Sequence, residues 1–306
     1  MTTEPAPPTP RWAFAVDPAT GQLSDDCQAV LSYANQRGVE TLTLSDGSDK
    51  PVEVDVLVVP EGADAAALRR TVTATRAVLV RSRVRLGGYT VDADVEFDKY
   101  GVPIASLTAA IAASRLDRLL AAAQHWPLRE EFVWSTGLPR HDLILTTNPP
   151  VSLAEREAEL RDELGEQRLI LIAEAPELTP ADRTRIAEHA AQRGATVQDL
   201  DSYDSRPTTA QLRVADVVIT GPAGALDFMV TGRPLLMYAP AGVPLPVLSV
   251  IGDIDALLDA LTGALEGNAL GQQLARDLLF DFVDDGSTAR LVERLLKPED
   301  SDDGRG

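Results

Sequence analysis

The sequence predicts an α/β protein made of two doubly wound parallel-sheet domains that face each other across a cleft. Short apolar runs alternate with helical patterns along most of the 306 residues. The alternation stops at a cluster of turn residues at 146–150 and then restarts. Runs such as 169–173 are apolar at nearly every position, as buried parallel strands are. Strands and helices that alternate in two blocks are typical of two such sheets.

The first block is the predicted N-terminal Rossmann-like domain, residues 11–148, and follows a Pro- and Thr-rich stretch at 1–10 that we expect to be disordered. Ser24 or Asp25 would cap its first helix, and Gly38 would end that helix. We predict strands at 11–16, 41–44, 54–59, 77–80 and 131–134, and helices at 25–37, 63–75 and 106–124.

The second block is the predicted nucleotide-binding-type Rossmann-like domain, residues 149–297, and precedes an acidic tail at 298–306 that we expect to be disordered. Its first helix begins with a capping-box pattern, Ser152 followed by Glu155. The last helix is placed in this block, with a return to the first domain left open. We predict strands at 169–173, 196–200, 217–220 and 235–238, and helices at 152–164, 179–193, 254–265, 269–280 and 287–296.

The charge balance limits the partners of the chain. It has 47 acidic and 28 basic residues, a formal net charge of −19. Such a surface repels phosphate backbones and anionic lipids, so we expect neither nucleic acid nor an acidic membrane as a partner. Solvated helix faces that keep the protein in solution would also account for the acids.

Cysteine content and hydropathy exclude two further classes of protein. The single Cys27 excludes an internal disulfide and a cysteine zinc site. No apolar run has the roughly 20 residues that span a bilayer, and the first residues lack the pattern of a signal peptide. We therefore expect a cytoplasmic protein without an integral membrane segment.

The most informative segment for function lies at 214–236. Here a strand ends at Thr220, a turn of small residues follows, and a helix starts near Gly224. A helix start presents backbone N–H groups without partners, and the helix dipole favours an anion there. The turn therefore predicts a phosphate-binding site, although Pro222 removes one donor. The alternative is a tight strand-to-helix turn that binds nothing.

The same segment resembles the pattern DVLITDYSSVMFDFALTGRPMLFY of the CDP-glycerol glycerophosphotransferases, the family of teichoic acid polymerases. Three other stretches agree in the same order: 136–142 with TGYPRND, 157–173 with a helix and the strand ILYAPTWR, and 282–289 with the closing DDG.AS. The resemblance is specific in the second half of the chain. The first segment matches the pattern at Asp216, Ile219, Thr220, Asp227, Phe228, Thr231, Gly232, Arg233, Pro234 and Tyr238.

This resemblance implies a GT-B fold and a transferase that moves a polyol phosphate, or a sugar, from a nucleotide-activated donor such as CDP-glycerol. It implies no cofactor and no metal. The donor phosphates would lie at the turn after the strand 217–220. Asp227, in the first turn of the next helix, would either contact a ligand hydroxyl or favour the helix dipole. The donor-phosphate site then comprises Thr220, Gly221, Ala223, Gly224 and Asp227.

The chain departs from the family pattern at the catalytic motifs. The family's DYSS is a Gly-Pro-Ala-Gly sequence at 221–224, its HGTPLK has no histidine counterpart within 84–101, and the end of its PTWR is Glu-Ala-Pro-Glu at 174–177. These departures leave open a catalytically silent relative that acts as a nucleotide-binding, partner or regulatory subunit in envelope-polymer synthesis. A sugar-nucleotide epimerase, which shares the small-residue turn, is a third reading.

Histidines provide few candidates for a base or a metal ligand. The three are His125, His141 and His189, and none has metal-ligand spacing with another His or Cys. His141 lies in a turn that should face the cleft, where an imidazole could act as an acid or base. The alternative is that residues of this turn, and of the stretch before the last helix, cap the helices that follow them. The remaining candidate cleft residues are Gly137, Arg140, Asp142 and Asp285.

Overall fold

The computed structural model describes residues 9–17, 20–44, 51–60, 63–81, 107–123, 132–200, 209–221, 228–240, 250–267, 276–277 and 279–297. The chain divides into two compact units, the first formed by Met1–Asp142 together with Asp284–Gly306 and the second by Leu143–Val283. Each unit contains one parallel sheet with helices, which confirms the predicted α/β class. The sequence-based limits, 11–148 and 149–297, place the boundary slightly later and assign the last helix to the second domain.

The described strands are mostly those that the sequence predicts. In chain order they are β1 (Arg11–Ala15), β2 (Glu40–Leu44), β3 (Val52–Pro60), β4 (Val72–Val80), β5 (Ala109–Ala112), β6 (Val133–Ser135), β7 (Arg168–Ala173), β8 (Ala195–Asp199), β9 (Val217–Thr220), β10 (Leu235–Tyr238) and β11 (Val250–Ile251). The short β11 is absent from the sequence-based prediction.

The described helices complete the alternation. They are α1 (Asp25–Gln36), α2 (Ala65–Thr71), α3 (Arg115–Ala123), α4 (Pro139–Leu145), α5 (Val151–Leu164), α6 (Pro180–Ala191), α7 (Thr209–Val214), α8 (Ile254–Leu265) and α9 (Ser287–Leu296). The sequence reading missed α4 and α7, which have 7 and 6 residues and are too short to show a helical period. Most of the helix predicted at 269–280 lies outside the described residues.

The sheet of the first unit has six strands in the order β2-β1-β3-β4-β5-β6, and every neighbouring pair is parallel. Its central strands are buried on both faces, with Phe14, Leu57 and Ile111 fully enclosed. The last helix, α9, packs beside α1, and the guanidinium of Arg37 pairs with Glu293 at 2.7 Å. Residues from both ends of the chain therefore complete this unit.

The sheet of the second unit has five strands in the order β11-β10-β9-β7-β8, and all neighbouring strands are parallel. From β7 the chain moves outward to β8 and then returns to the other side of β7 to form β9. The strand order thus reverses between β7 and β9. In open α/β sheets, ligands bind outside the carboxyl ends of the strands at such a reversal.

Two long helix predictions in the first unit are wrong because strand pairing overrides helix propensity. The helix predicted at 63–75 ends at Thr71, since β4 begins at Val72 and pairs with β3 along its whole length. The helix predicted at 106–124 contains the strand Ala109–Ala112, which is buried at every position and pairs with β4 and β6. An Ala-rich segment favours a helix only where no neighbouring strand needs it.

Two helix caps test the capping predictions in the second unit. The predicted capping box of Ser152 and Glu155 is wrong, because α5 starts at Val151 with Pro150 as its N-cap and has no side-chain cap. A capping box does form at α6. There the Thr179 hydroxyl accepts from the amide of Asp182 at 3.2 Å, and the Asp182 carboxylate accepts from the Thr179 amide at 3.1 Å.

None of the helices in the described part of the chain is long and apolar enough to cross a membrane.

A buried ion pair joins two strand ends of the first unit. Arg81 follows β4, and its guanidinium contacts the Asp117 carboxylate of α3 at 2.8 Å, with both side chains at most 2% exposed. The same carboxylate accepts from the Ala113 amide at 2.9 Å. Removing one partner of a buried pair leaves the other charge uncompensated.

We therefore expect Asp117→Asn to lower the free energy of unfolding by about 3–5 kcal/mol. The exposed pair of Arg156 and Glu159 supplies the control, since Glu159→Gln should change it by less than about 1 kcal/mol. Urea unfolding monitored by circular dichroism measures both changes. Equal effects of the two substitutions would contradict the structural role of Asp117.

Candidate functional site

The carboxyl edge of the second sheet is the candidate site, at the reversal between β7 and β9. Ala173 at the end of β7 pairs with Thr220 at the end of β9, so the residues that follow them, Glu174 and Gly221, lie side by side. Tyr238 ends the next strand, β10, whose Met237 pairs with Thr220. Three loops of the second unit therefore leave the sheet at one place.

The turn after β9 uses its own polar groups. The Gly221 amide donates to the Glu174 carbonyl oxygen at 2.9 Å. The fully buried Thr220 hydroxyl donates to the Gly221 carbonyl oxygen at 3.2 Å. Both donors are thus engaged within the protein, and these contacts give no support to phosphate binding by Thr220 and Gly221. The phosphate-binding roles of the two residues stay predictions. Ala223, Gly224 and Asp227 lie outside the described residues.

Gly221 is required by close packing at this turn. A Cβ atom at this position would lie 2.6 Å from the Glu174 carbonyl oxygen and 3.3 Å from Oε2 of Glu177. Real side chains do not come so close to a backbone oxygen, so only glycine allows the β7 and β9 loops to meet.

The loop after β7 has a strained backbone and is held firmly. Glu174 has a positive φ of 54°, which is uncommon for a residue with a side chain. Arg183 of α6 donates to the carbonyl oxygens of Ala175 at 2.8 Å and Leu178 at 3.2 Å, and contacts both carboxylate oxygens of Asp199 at 2.6 Å. One guanidinium thus fixes the loop against the end of β8.

Negative charge surrounds this edge. Burial raises the pKa of Tyr238 above its usual range, and the carboxylates of Asp182, Asp253 and Glu177 act in the same direction. These acids oppose ionisation of the phenol because a phenolate would add another negative charge. Tyr238 is therefore a neutral hydroxyl at neutral pH.

The sequence analysis missed Glu174, Glu177 and Arg183 as site residues. The first two were seen only as a departure from the family's PTWR. Their position directly after a buried strand, next to the reversal in strand order, is the signal that identifies them. That signal needs the sheet order, which the sequence pattern does not supply. No group of three or more His, Cys, Asp or Glu side chains suited to a metal ion occurs within the described ranges.

The predicted base His141 lies inside the first unit, in α4, with 3% of its surface exposed. Burial lowers the pKa of its imidazole to about 3, and the positive charge of Arg140 acts in the same direction. Such an imidazole is shielded from solvent and binds protons weakly near neutral pH. Its catalytic role stays a prediction, to which this geometry gives no support.

The predicted cleft residues Arg140 and Asp142 take part in two helix caps. The Asp26 carboxylate of α1 accepts from the Arg140 amide at 2.7 Å, at the start of α4. The Asp142 carboxylate of α4 accepts from the amides of Ser287 at 2.8 Å and Thr288 at 2.6 Å, at the start of α9. Burial raises the pKa of Asp142, although the hydrogen bonds from Thr288 and Ser287 act in the opposite direction.

Gly137 and Asp285 flank the same contact. Gly137 has a φ of +81°, and a Cβ atom there would lie 2.2 Å from Oγ of Ser287. The close approach of α9 therefore requires glycine. The alternative that the stretch before the last helix caps it through a side chain is wrong, because the N-cap is Gly286, which provides no side-chain bond. Asp142 supplies the carboxylate from elsewhere in the chain.

The structure is similar to several solved structures. A histidine-to-alanine variant of the wall teichoic acid polymerase TagF matches with a TM-score of 0.67 at 11% identity, over 93% of this chain and 88% of that chain. A TagF variant soaked with CDPG matches with a TM-score of 0.65 at 12% identity, over 93% and 87%. A UDP-GlcNAc 2-epimerase from Neisseria meningitidis bound to UDP-GlcNAc matches with a TM-score of 0.58 at 9% identity, over 94% and 98%.

These likenesses, together with the two parallel sheets, show that the chain has a GT-B fold, as expected from the sequence. No protein-family model and no curated protein sequence matches the chain. At 9–12% identity the solved structures establish the fold alone.

Removal of the Asp142 carboxylate should destabilise the first unit. Asp142→Ala leaves two buried amides of α9 without their acceptor, so we expect a loss of about 2–3 kcal/mol in unfolding free energy. Asp285→Ala is the matched control, because Asp285 is exposed and has no hydrogen bond within the described residues. Thermal and urea unfolding should leave this control within about 0.5 kcal/mol of the wild type. The interpretation fails if both variants unfold alike.

The low pKa of His141 predicts a pH dependence of stability. Below its ordinary pKa of 6.5 the unfolded imidazole binds a proton, whereas the folded one does not until about pH 3. The unfolded state therefore binds more protons in this window, and stability falls as the pH drops. Between pH 7.5 and 5.5 the loss from this group should be about 1.4 kcal/mol.

Urea unfolding at the two pH values should show this loss in the wild type and a smaller one in His141→Asn. Proton NMR provides a second measurement on the unaltered chain. One of its three histidine C2–H resonances should not titrate above pH 4. Titration of all three near pH 6.5 would contradict the buried environment.

Proposed function

We propose that this protein has a glycosyltransferase-like function and binds a nucleotide-activated donor at the carboxyl edge of the second sheet. The observation that carries the proposal is the reversal of strand order between β7 and β9, which brings Glu174, Gly221 and Tyr238 to one edge. Parallel α/β sheets bind their ligands at such an edge. The close packing at Gly221 keeps the turn compact.

For the donor we propose CDP-glycerol or a similar CDP-activated polyol. The resemblance of 214–238 to the glycerophosphotransferase pattern supports this choice, and so does the match to TagF over 93% of the chain. A sugar nucleotide is the next donor to test, because the similar epimerase is bound to UDP-GlcNAc. A cytoplasmic location and partners in envelope-polymer synthesis stay predictions.

A second candidate is a silent relative that keeps the donor site and does not catalyse transfer. The surroundings of His141 favour it, since the imidazole is buried and has a pKa of about 3. Loss of a general base typically lowers a rate by about 10²–10⁴-fold. Such a protein would act by binding, as a partner or regulatory subunit.

Calorimetric titration with CDP-glycerol, CDP and UDP-GlcNAc tests the donor site. We expect micromolar to millimolar binding of a cytidine nucleotide. Hydrogen exchange should then show protection of peptides that contain 174–178 and 217–221, with no change at 11–15 in the first unit. Absence of binding by every nucleotide would overturn the proposal, and protection confined to the first unit would move the site.

Phosphorus NMR separates an enzyme from a silent binder. Incubation of the protein with CDP-glycerol and a polyol-phosphate acceptor should release CMP if transfer occurs. His141→Asn should leave any observed rate unchanged, because the imidazole is shielded from solvent and binds protons weakly near neutral pH. A loss of turnover in this variant, with unaltered nucleotide binding, would restore His141 as the catalytic base.

A further inference from the structure

One carboxylate stands directly over the turn at the end of β9. Oε2 of Glu177 lies 3.3 Å from the position that a Cβ atom would take at Gly221. Glu177 is exposed to solvent and has no salt-bridge partner among the residues that the structure describes. Within these ranges, no cation forms an ion pair with the Glu177 carboxylate.

The position of Glu177 is fixed by its neighbours. Ala175 and Leu178 on either side are 0% and 4% exposed, so the loop is anchored at both ends of the exposed segment. Arg183 donates to the carbonyl oxygens of these same two residues. The Glu174 carbonyl oxygen, which accepts from the Gly221 amide, adds a third attachment. The backbone that carries Glu177 is thus held next to the turn.

This arrangement weakens the binding of anionic ligands at the turn. A phosphate at the turn would lie within a few ångströms of the Glu177 carboxylate, and like charges repel each other over that distance. The amide of Gly221, which could offset the repulsion, is engaged by Glu174. The repulsion rises with the number of phosphate charges on the ligand.

We propose that Glu177 is a specificity-determining residue that selects against phosphate charge at this turn. This inference rests on the proposed donor site, and it identifies a residue that limits the affinity of that site for phosphate groups. The carboxylate lowers the affinity for nucleotide diphosphates more than for monophosphates, and leaves the affinity for the uncharged nucleoside unchanged. Among the nucleotides that this edge binds, it therefore favours those whose phosphates carry less negative charge.

The test compares wild type, Glu177→Gln and Glu163→Gln by calorimetry with cytidine, CMP and CDP. Glu163 is an exposed carboxylate near the end of α5, which leads into the start of β7, so the same change is made at the opposite edge of the sheet. Glu177→Gln should bind CDP about tenfold more tightly at about 20 mM salt. The gain should be smaller for CMP and absent for cytidine, and Glu163→Gln should bind all three as the wild type does.

Salt dependence provides a second measurement. The gain in CDP affinity should shrink at about 300 mM NaCl, because salt screens the interaction between exposed charges. A structural effect of the substitution would change the affinity for cytidine as well and would not depend on salt.

The outcomes separate this inference from the proposed function. Equal CDP affinity in wild type and Glu177→Gln would overturn the charge selection and leave the donor site intact. Binding by Glu177→Gln alone would support the charge selection and overturn donor binding by the wild type. Binding by neither protein would overturn both.

Discussion

The start of a helix presents amide groups without partners, and in the first unit two such ends are satisfied by carboxylates from distant parts of the chain. Asp26 caps α4, and Asp142 within α4 caps α9. The two contacts are linked, because Asp26 fixes the start of α4, and α4 carries the Asp142 carboxylate that fixes the start of α9. The close approach at Gly137 depends on the same arrangement, because α9 must lie against that glycine.

Much of the fold could be predicted because buried parallel strands have continuous apolar sequences. β7, β9 and β10 were located within a residue or so, and their alternation with helices gave the class of fold. The two wrong long helices in the first unit have one cause. Ala109–Ala112 and the start of β4 have side chains that also suit a helix, and only pairing with neighbouring strands decides between the two. Pairing over long sequence distances leaves no local signal.

The candidate site was predictable in its place but not in its contacts. The strand-turn-helix pattern after Thr220 pointed to the same edge of the sheet, and Asp142 was noticed within its motif. The sequence does not show the hydrogen-bond partners of Gly221 and Asp142, because they lie far away along the chain. The Glu174 carbonyl lies 47 residues from Gly221, and the α9 amides lie 145 and 146 residues from Asp142. A residue type and its spacing identify a polar group, whereas the sheet order decides whether that group meets a ligand or another part of the chain.

The order of the two units along the chain has a consequence for biosynthesis. The second unit is one continuous stretch, Leu143–Val283, whereas the first needs α9, which is synthesised after the whole second unit. On the ribosome, the second unit can therefore complete its sheet while the first still exposes the surface that α9 will cover. That surface stays exposed until the last helix has been synthesised and can pack onto it.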